Sequence, residues 1–144
     1  EDIHNVKGHA FLRIRQMAMQ LPGTFLEESF RLTYLTFARN SKSFNETSSS
    51  SNVVFMSQCI VELYSIDITM AYQQSFLFIR QLALHLRLTI LKTSSTTIRQ
   101  VTNWQYLNCV RLWTRVICAM PETNQLGSLI FPLTQIILGI ISII

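Results

Sequence analysis

Arg80 and Arg87 stand seven residues apart, with Gln81 beside the first, and Arg111 and Arg115 stand four apart. On a helix, each pair falls on one strip. Guanidinium groups hold carboxylates or phosphates through paired N–H donors. Arg80, Gln81, Arg87, Arg111 and Arg115 are therefore the candidate contact residues for a protein partner or for RNA. A solvated or carboxylate-paired face fits the same pattern. His4, His9 and His85 have no ligand-like spacing with each other or with Cys59, Cys109 and Cys118. No serine sits in a strand–turn–helix elbow, and no glycine-rich loop could hold phosphate. Glu27 and Glu28 fit the first turn of a helix. The sequence thus assigns no catalytic, metal or cofactor residue, and the chain reads as a non-enzyme.

The elements that must position the arginines are helices. From Tyr72 to Arg87, YQQSFLFIRQLALHLR, and just beyond it, apolar residues recur at helical spacing through Tyr72, Phe76, Ile79, Ala83, Leu86 and Ile90. A second set, Leu77, Phe78, Leu82, Leu84, Leu88 and Leu91, widens that surface. Gln73, Gln74, Arg80, Gln81 and Arg87 are left as a narrow polar strip. So apolar a helix is expected to pack on more than one side. FLRIRQMAMQL, 11–21, repeats FLFIRQLALHL, 76–86, at seven of eleven positions and an offset of 65 residues. Self-similarity of this kind suggests a stacked helical array.

The rest of the chain fits that reading. One helix is expected from Asn5 to Leu21, stopped by Pro22-Gly23. A second should start at a Thr24–Glu27 capping box and run to Arg39, with Leu26, Phe30, Tyr34, Phe37 and Ala38 inward. A Ser-rich loop, 41–52, contains a glycosylation sequon at Asn45–Thr47 that reads as chance. Asn52 and Asp67 are expected to cap helices ending near Tyr64 and Lys92. After a Thr93–Thr97 linker, a fifth helix should span Ile98–Met120, with Trp104 and Trp113 in its core face. A sixth segment runs from Leu126 onward, with a bend at Pro132. No strand pattern is present. The expected fold is all-α: an α-solenoid of antiparallel hairpins of the HEAT or armadillo kind, with about six helices in one region, 1–144.

Composition sets limits on partners. The chain has 144 residues, a net charge of +4 and only 14% charged residues, against about 25% in an ordinary soluble domain. So poor a polar surface implies a covering partner or a membrane, and the chain reads as a piece of a longer solenoid. The positive charges are dispersed, unlike a basic nucleic-acid arm. The cysteines lack CxxC spacing and read as buried thiols in a reducing compartment. Residues 126–144 carry no charge and are a transmembrane candidate by hydropathy, although Pro132, Thr134 and Gln135 interrupt them.

Several stretches in order, FLRIRQMAMQLP, FMSQCIVELYSID, YQQSFLFIRQLALHLR, NWQYLNCVRLWTRVICAMP and PLTQIILGII, resemble the nucleolar complex protein 2 family. The resemblance implies a HEAT-like scaffold for assembly of the large ribosomal subunit, in the nucleus, nucleolus and nucleoplasm. It implies a heterodimer with a sister nucleolar complex protein and association with precursor large-subunit particles. Direct RNA contact stays open. It implies no catalytic residues, cofactor, small-molecule substrate or membrane. The Thr93–Thr97 linker departs from it, since a more basic stretch is expected there. A generic helical-repeat adaptor, or a membrane protein spanning at 126–144, are the alternative readings.

Overall fold

A computed structural model describes residues 2–21, 23–42, 49–120 and 125–144, with side chains for all of these except 2–4, 49 and 50. Every regular element among them is helical. The order is α1 (Asp2–Gln20), α2 (Gly23–Asn40), α3 (Ser49–Tyr64), α4 (Ile68–Leu91), α5 (Ser95–Thr102), α6 (Trp104–Ala119), a 3₁₀ segment (Gln125–Leu129) and α7 (Ile130–Ile143). The sequon at Asn45–Thr47, and the prolines 22 and 121 expected to end helices, lie outside the described residues.

Caps explain several boundaries. The Asp67 carboxylate accepts from the Met70 amide at 3.1 Å and starts α4, as expected. The expected helix Ile98–Met120 is two helices. Asn103 adopts an extended conformation, and its side chain accepts from the Tyr106 amide at 2.8 Å, so α6 starts afresh at Trp104. The expected linker contains the start of α5. Ser94 and Thr97 exchange bonds there, Thr97 amide to Ser94 Oγ at 3.2 Å and Ser94 amide to Thr97 Oγ1 at 2.9 Å. Two expected caps move. α2 already includes Gly23, so Thr24 lies inside its first turn. α3 begins at Ser49, so Asn52 lies within the helix, where its side chain accepts from Lys7 Nζ of α1 at 3.0 Å.

Packing follows chain order. α1 lies against α2, and α2 pairs with α3. That pair packs on α4 and α6, and α7 packs on α4, α5 and α6 beyond them. The core is one cluster running through these layers, with an aromatic centre at Trp113, which is fully buried. Tyr34 and Tyr64 lie 4.8 and 5.7 Å from its ring, and Phe78 lies 6.0 Å away. Phe30 stacks on Tyr64 at 4.3 Å. Such pairs contribute about 0.5–1.5 kcal/mol each beyond their burial.

Polar side chains tie the layers together. The Tyr64 hydroxyl donates to the Phe30 carbonyl at 3.2 Å, and the Tyr106 hydroxyl donates to the Leu82 carbonyl at 2.6 Å. Gln105 Nε2 donates to the Ala38 carbonyl at 2.9 Å, and Asn108 Nδ2 to the Ser41 carbonyl at 3.3 Å. Two carbonyls at the C-terminal end of α2, those of Ala38 and Ser41, therefore accept from α6.

Candidate functional site

α4 has two unlike faces. Ala71, Phe78, Ile79, Leu82 and Leu86 lie in the core, together with Gln74, Ser75 and Thr89. Gln74 thus leaves the polar strip that the sequence suggests. Thr89 satisfies itself locally, donating to the His85 carbonyl at 3.1 Å. The opposite face is exposed, and it is not only polar. Arg80, Gln81 and Arg87 lie there as expected, but so do Leu77, Leu84, Leu88 and Leu91, the last two at 63% and 69% exposure. The expectation that α4 packs on more than one side is met, with α2 and α3 on one side and α7 on another, but one strip stays bare. α2, α3, α5, α6 and α7 all pack on α4, and the strip of Leu77, Leu84, Leu88 and Leu91 is left exposed.

Arg80 and Arg87 form no ion pair or hydrogen bond among the described residues. The one salt bridge described is Arg31 to Glu28, at 2.7 Å on the surface of α2. It uses the i,i+3 carboxylate, whereas Glu27 stands at i,i+4. Two exposed guanidinium groups on α4 thus keep all their donors for an external acceptor.

Arg111 and Arg115 belong to a separate place on α6. With Trp104, Ile137, Ile141 and Ile144, they line a groove of about 550 Å³ between α6 and α7. Arg111 is exposed, while Arg115 is half-buried and its Nη1 donates to Ser57 Oγ of α3 at 2.8 Å. Ser57 in turn donates to the Val54 carbonyl at 2.8 Å. Arg115 therefore links α6 to α3 in addition to lining the groove. Trp104 is 47% exposed rather than in the core, because the break at Asn103 places it in the first turn of α6. The structure brings Arg80, Gln81 and Arg87 together on one helix face and puts Arg111 and Arg115 on another element.

The thiols are not arranged for chemistry. Burial, with the Glu62 charge adding, pushes Cys59 up to about 11, and burial also raises Cys109. Thiols held protonated in this way are poor nucleophiles. Cys118 is exposed, unlike the buried thiol expected. Among the described residues, no group of three or more His, Cys, Asp and Glu side chains could hold a metal ion.

α7 presents the second large apolar surface. Leu133, Ile136 and Ile140 point into the core, while Ile130, Phe131, Leu138 and Ile141 are exposed. By length and composition, Gln125–Ile143 could cross a membrane, and about a quarter of it is buried in the fold (28%). Gly139 sits at its crossing with α4, where an added Cβ would lie 2.7 Å from Leu86 Cδ2. The absence of a side chain there lets the two helices approach closely.

Sequence reading overlooks the exposed leucines of α4, because composition alone puts them in a buried surface. Spacing does not separate them from the core set, since Ala71, Ser75, Phe78, Leu82, Leu86 and Thr89 recur at the same intervals of three and four. Leu77, Leu84, Leu88 and Leu91 follow a 3.5-residue period.

Comparison with known proteins gives the family. Nucleolar complex protein 2 of Drosophila melanogaster is 36% identical over 135 residues, covering 94% of this chain and 18% of its own length. Nucleolar complex-associated protein 2 of Arabidopsis thaliana is 31% identical over 91% of this chain and 17% of its own length. The Caenorhabditis elegans nucleolar complex protein 2 homolog is 34% identical over 91% of this chain and 19% of its own length. The chain spans about a fifth of the length of the curated relatives it matches. Relatives of this kind place the protein in the nucleus, at the nucleolus. Residues 24–144, from the start of α2 through α7, match the family, and the chain belongs to the Noc2p family.

Proposed function

We propose that the chain is part of a non-catalytic scaffold in large ribosomal subunit biogenesis. It binds a sister nucleolar complex protein and associates with precursor large-subunit particles. Its layers of helix pairs continue in the longer protein as a HEAT-like solenoid, in which each layer buries its neighbour's apolar face. Arg80, Gln81 and Arg87 serve as one contact surface, and Arg111, with the exposed part of Arg115, as another.

The observation that carries this reading is a folded helical layer that leaves apolar faces bare on α4 and α7, with unpaired arginines beside the first. Exposed apolar faces of this kind mark places where other proteins sit. Membership of a family whose relatives are named for a nucleolar complex supplies the setting.

The test is sedimentation of the full-length protein from nuclear extract. It should travel with large-subunit precursors and keep a sister nucleolar complex protein through a high-salt wash. The apolar character of Gln125–Ile143 supports one rival, a membrane span. Retention in the membrane pellet after carbonate extraction would establish that rival and overturn the scaffold. Recovery with unrelated peptide-bearing partners and no precursor particle would favour a generic helical adaptor.

A further inference from the structure

We propose that the outer face of α4 is a docking seam for an acidic, amphipathic helix of a second protein. The inference rests on the scaffold reading above and specifies what one of its surfaces accepts. Leu77, Gln81, Leu84, Leu88 and Leu91 follow one another at intervals of four, three, four and three residues. That is the spacing by which one helix packs along another, knob into hole, in a coiled coil. The seam is exposed and about 21 Å long at 1.5 Å per residue.

Charge selects the occupant. In such packing, the positions beside the seam face the partner's flanks. Here one flank carries Arg80 and Arg87 and the other carries His85 and Lys92, all exposed. α4 contains no Asp or Glu from Ile68 to Leu91. The arginines have no partner among the described residues, so their charge is available to carboxylates on an incoming helix. A second copy of this seam would set basic flanks against basic flanks in either orientation, which disfavours self-pairing. RNA would meet the arginines but leave four leucines against a phosphate backbone.

Gln81 adds selectivity. A polar residue in the middle of an otherwise leucine seam fixes the register of the partner. A cleft of about 240 Å³ opens beside it, lined by Gln81 and His85 of α4 and by Leu35 of α2. The partner helix therefore carries a polar residue opposite Gln81 and has room for a bulky side chain next to it.

The experiment uses the full-length protein carrying a benzophenone side chain at position 85, irradiated in cells. The expected adduct is a segment of another protein with apolar residues at the same spacing and Asp or Glu on its flanks. Arg80→Glu with Arg87→Glu should lower the adduct about tenfold, and changing the captured acids to Lys should restore it. Arg80→Gln with Arg87→Gln, which removes the charge without reversing it, should give an intermediate loss and guards against misfolding of the reversed variant. Adducts to the same chain, to RNA or to lipid would overturn the seam. So would no adduct, or a captured helix indifferent to the charge reversal. Sedimentation with precursor particles in the same cells reports separately. If it persists while the adduct fails, the seam is wrong and the scaffold stands. If the wild type does not sediment with precursors, the scaffold reading fails whatever the adduct shows.

Discussion

Residues 11–21, helical in α1 as far as Gln20, and 76–86 of α4 share seven of eleven residues, yet the fold treats them differently. Ile79 is 2% exposed, whereas its counterpart Ile14 is 39% exposed. Leu82 is in the core, and its counterpart Met17 is not. The arginines differ in the opposite sense. Among the described residues, Arg80 has no partner at the surface, while Arg15 is half-buried and its Nε lacks a hydrogen-bond partner. α1 packs mainly on α2, while α4 has α2, α3, α5, α6 and α7 around it. One sequence pattern thus serves as an outer layer in one place and as a central helix in another. Neighbours decide which apolar residues contribute to stability.

The comparison can be broken most strongly by removing what surrounds α4. Trp113→Ala should cost about 3–5 kcal/mol, since it empties the aromatic centre against which Phe78 packs. A urea melt within about 0.5 kcal/mol of wild type would mean that this centre is not formed. Next come the paired positions themselves. Leu82→Ala should cost about 2–5 kcal/mol, and Met17→Ala no more than about 0.5 kcal/mol. Equal costs in parallel melts would remove the distinction between the two helices.

Alkaline pH sharpens the comparison further. Burial raises Tyr34, Tyr64 and Tyr106 well above the ordinary phenol value. All three lie in the layers around α4. Their folded forms favour the protonated phenol, so their contribution is complete below the unfolded value of about 10. It is lost as pH rises from there toward the folded values. Melting temperature should fall steeply above about pH 10. With Tyr64→Phe the fall should be shallower, and an unchanged slope would exclude that phenol as a cause. The smallest effect on stability belongs to Arg80→Ala with Arg87→Ala, at about 0.5 kcal/mol or less. The same variant should weaken partner association. A large loss of stability with intact association would make these arginines structural.

Helices with strong punctuation were legible in the sequence. Asp67 caps α4, and Leu26, Phe30, Tyr34 and Phe37 face inward on α2 as their spacing requires. The break at Asn103 was not, because apolar spacing continues across it from Val101 to Trp104 and onward. The start of α5 was hidden because its box is closed by Thr97, where a Glu or Gln is the usual signal. Of the candidate site, the Arg80–Gln81–Arg87 strip was visible as a period of seven. The bare leucines were not, because hydropathy records how apolar a helix is and not which of its sides meets a neighbour. The split between Arg111, exposed, and Arg115, tied to Ser57, depends on where α3 lies and has no local sequence signal.

The side-chain amides of α6 that close the end of α2 have a practical consequence. Gln105 and Asn108 fix Ala38 and Ser41 from outside, and α3 starts independently at Ser49. The end of α2 is therefore held by groups on a helix far along the chain. A change in α6 is thereby felt at α2, 67 residues earlier in the sequence.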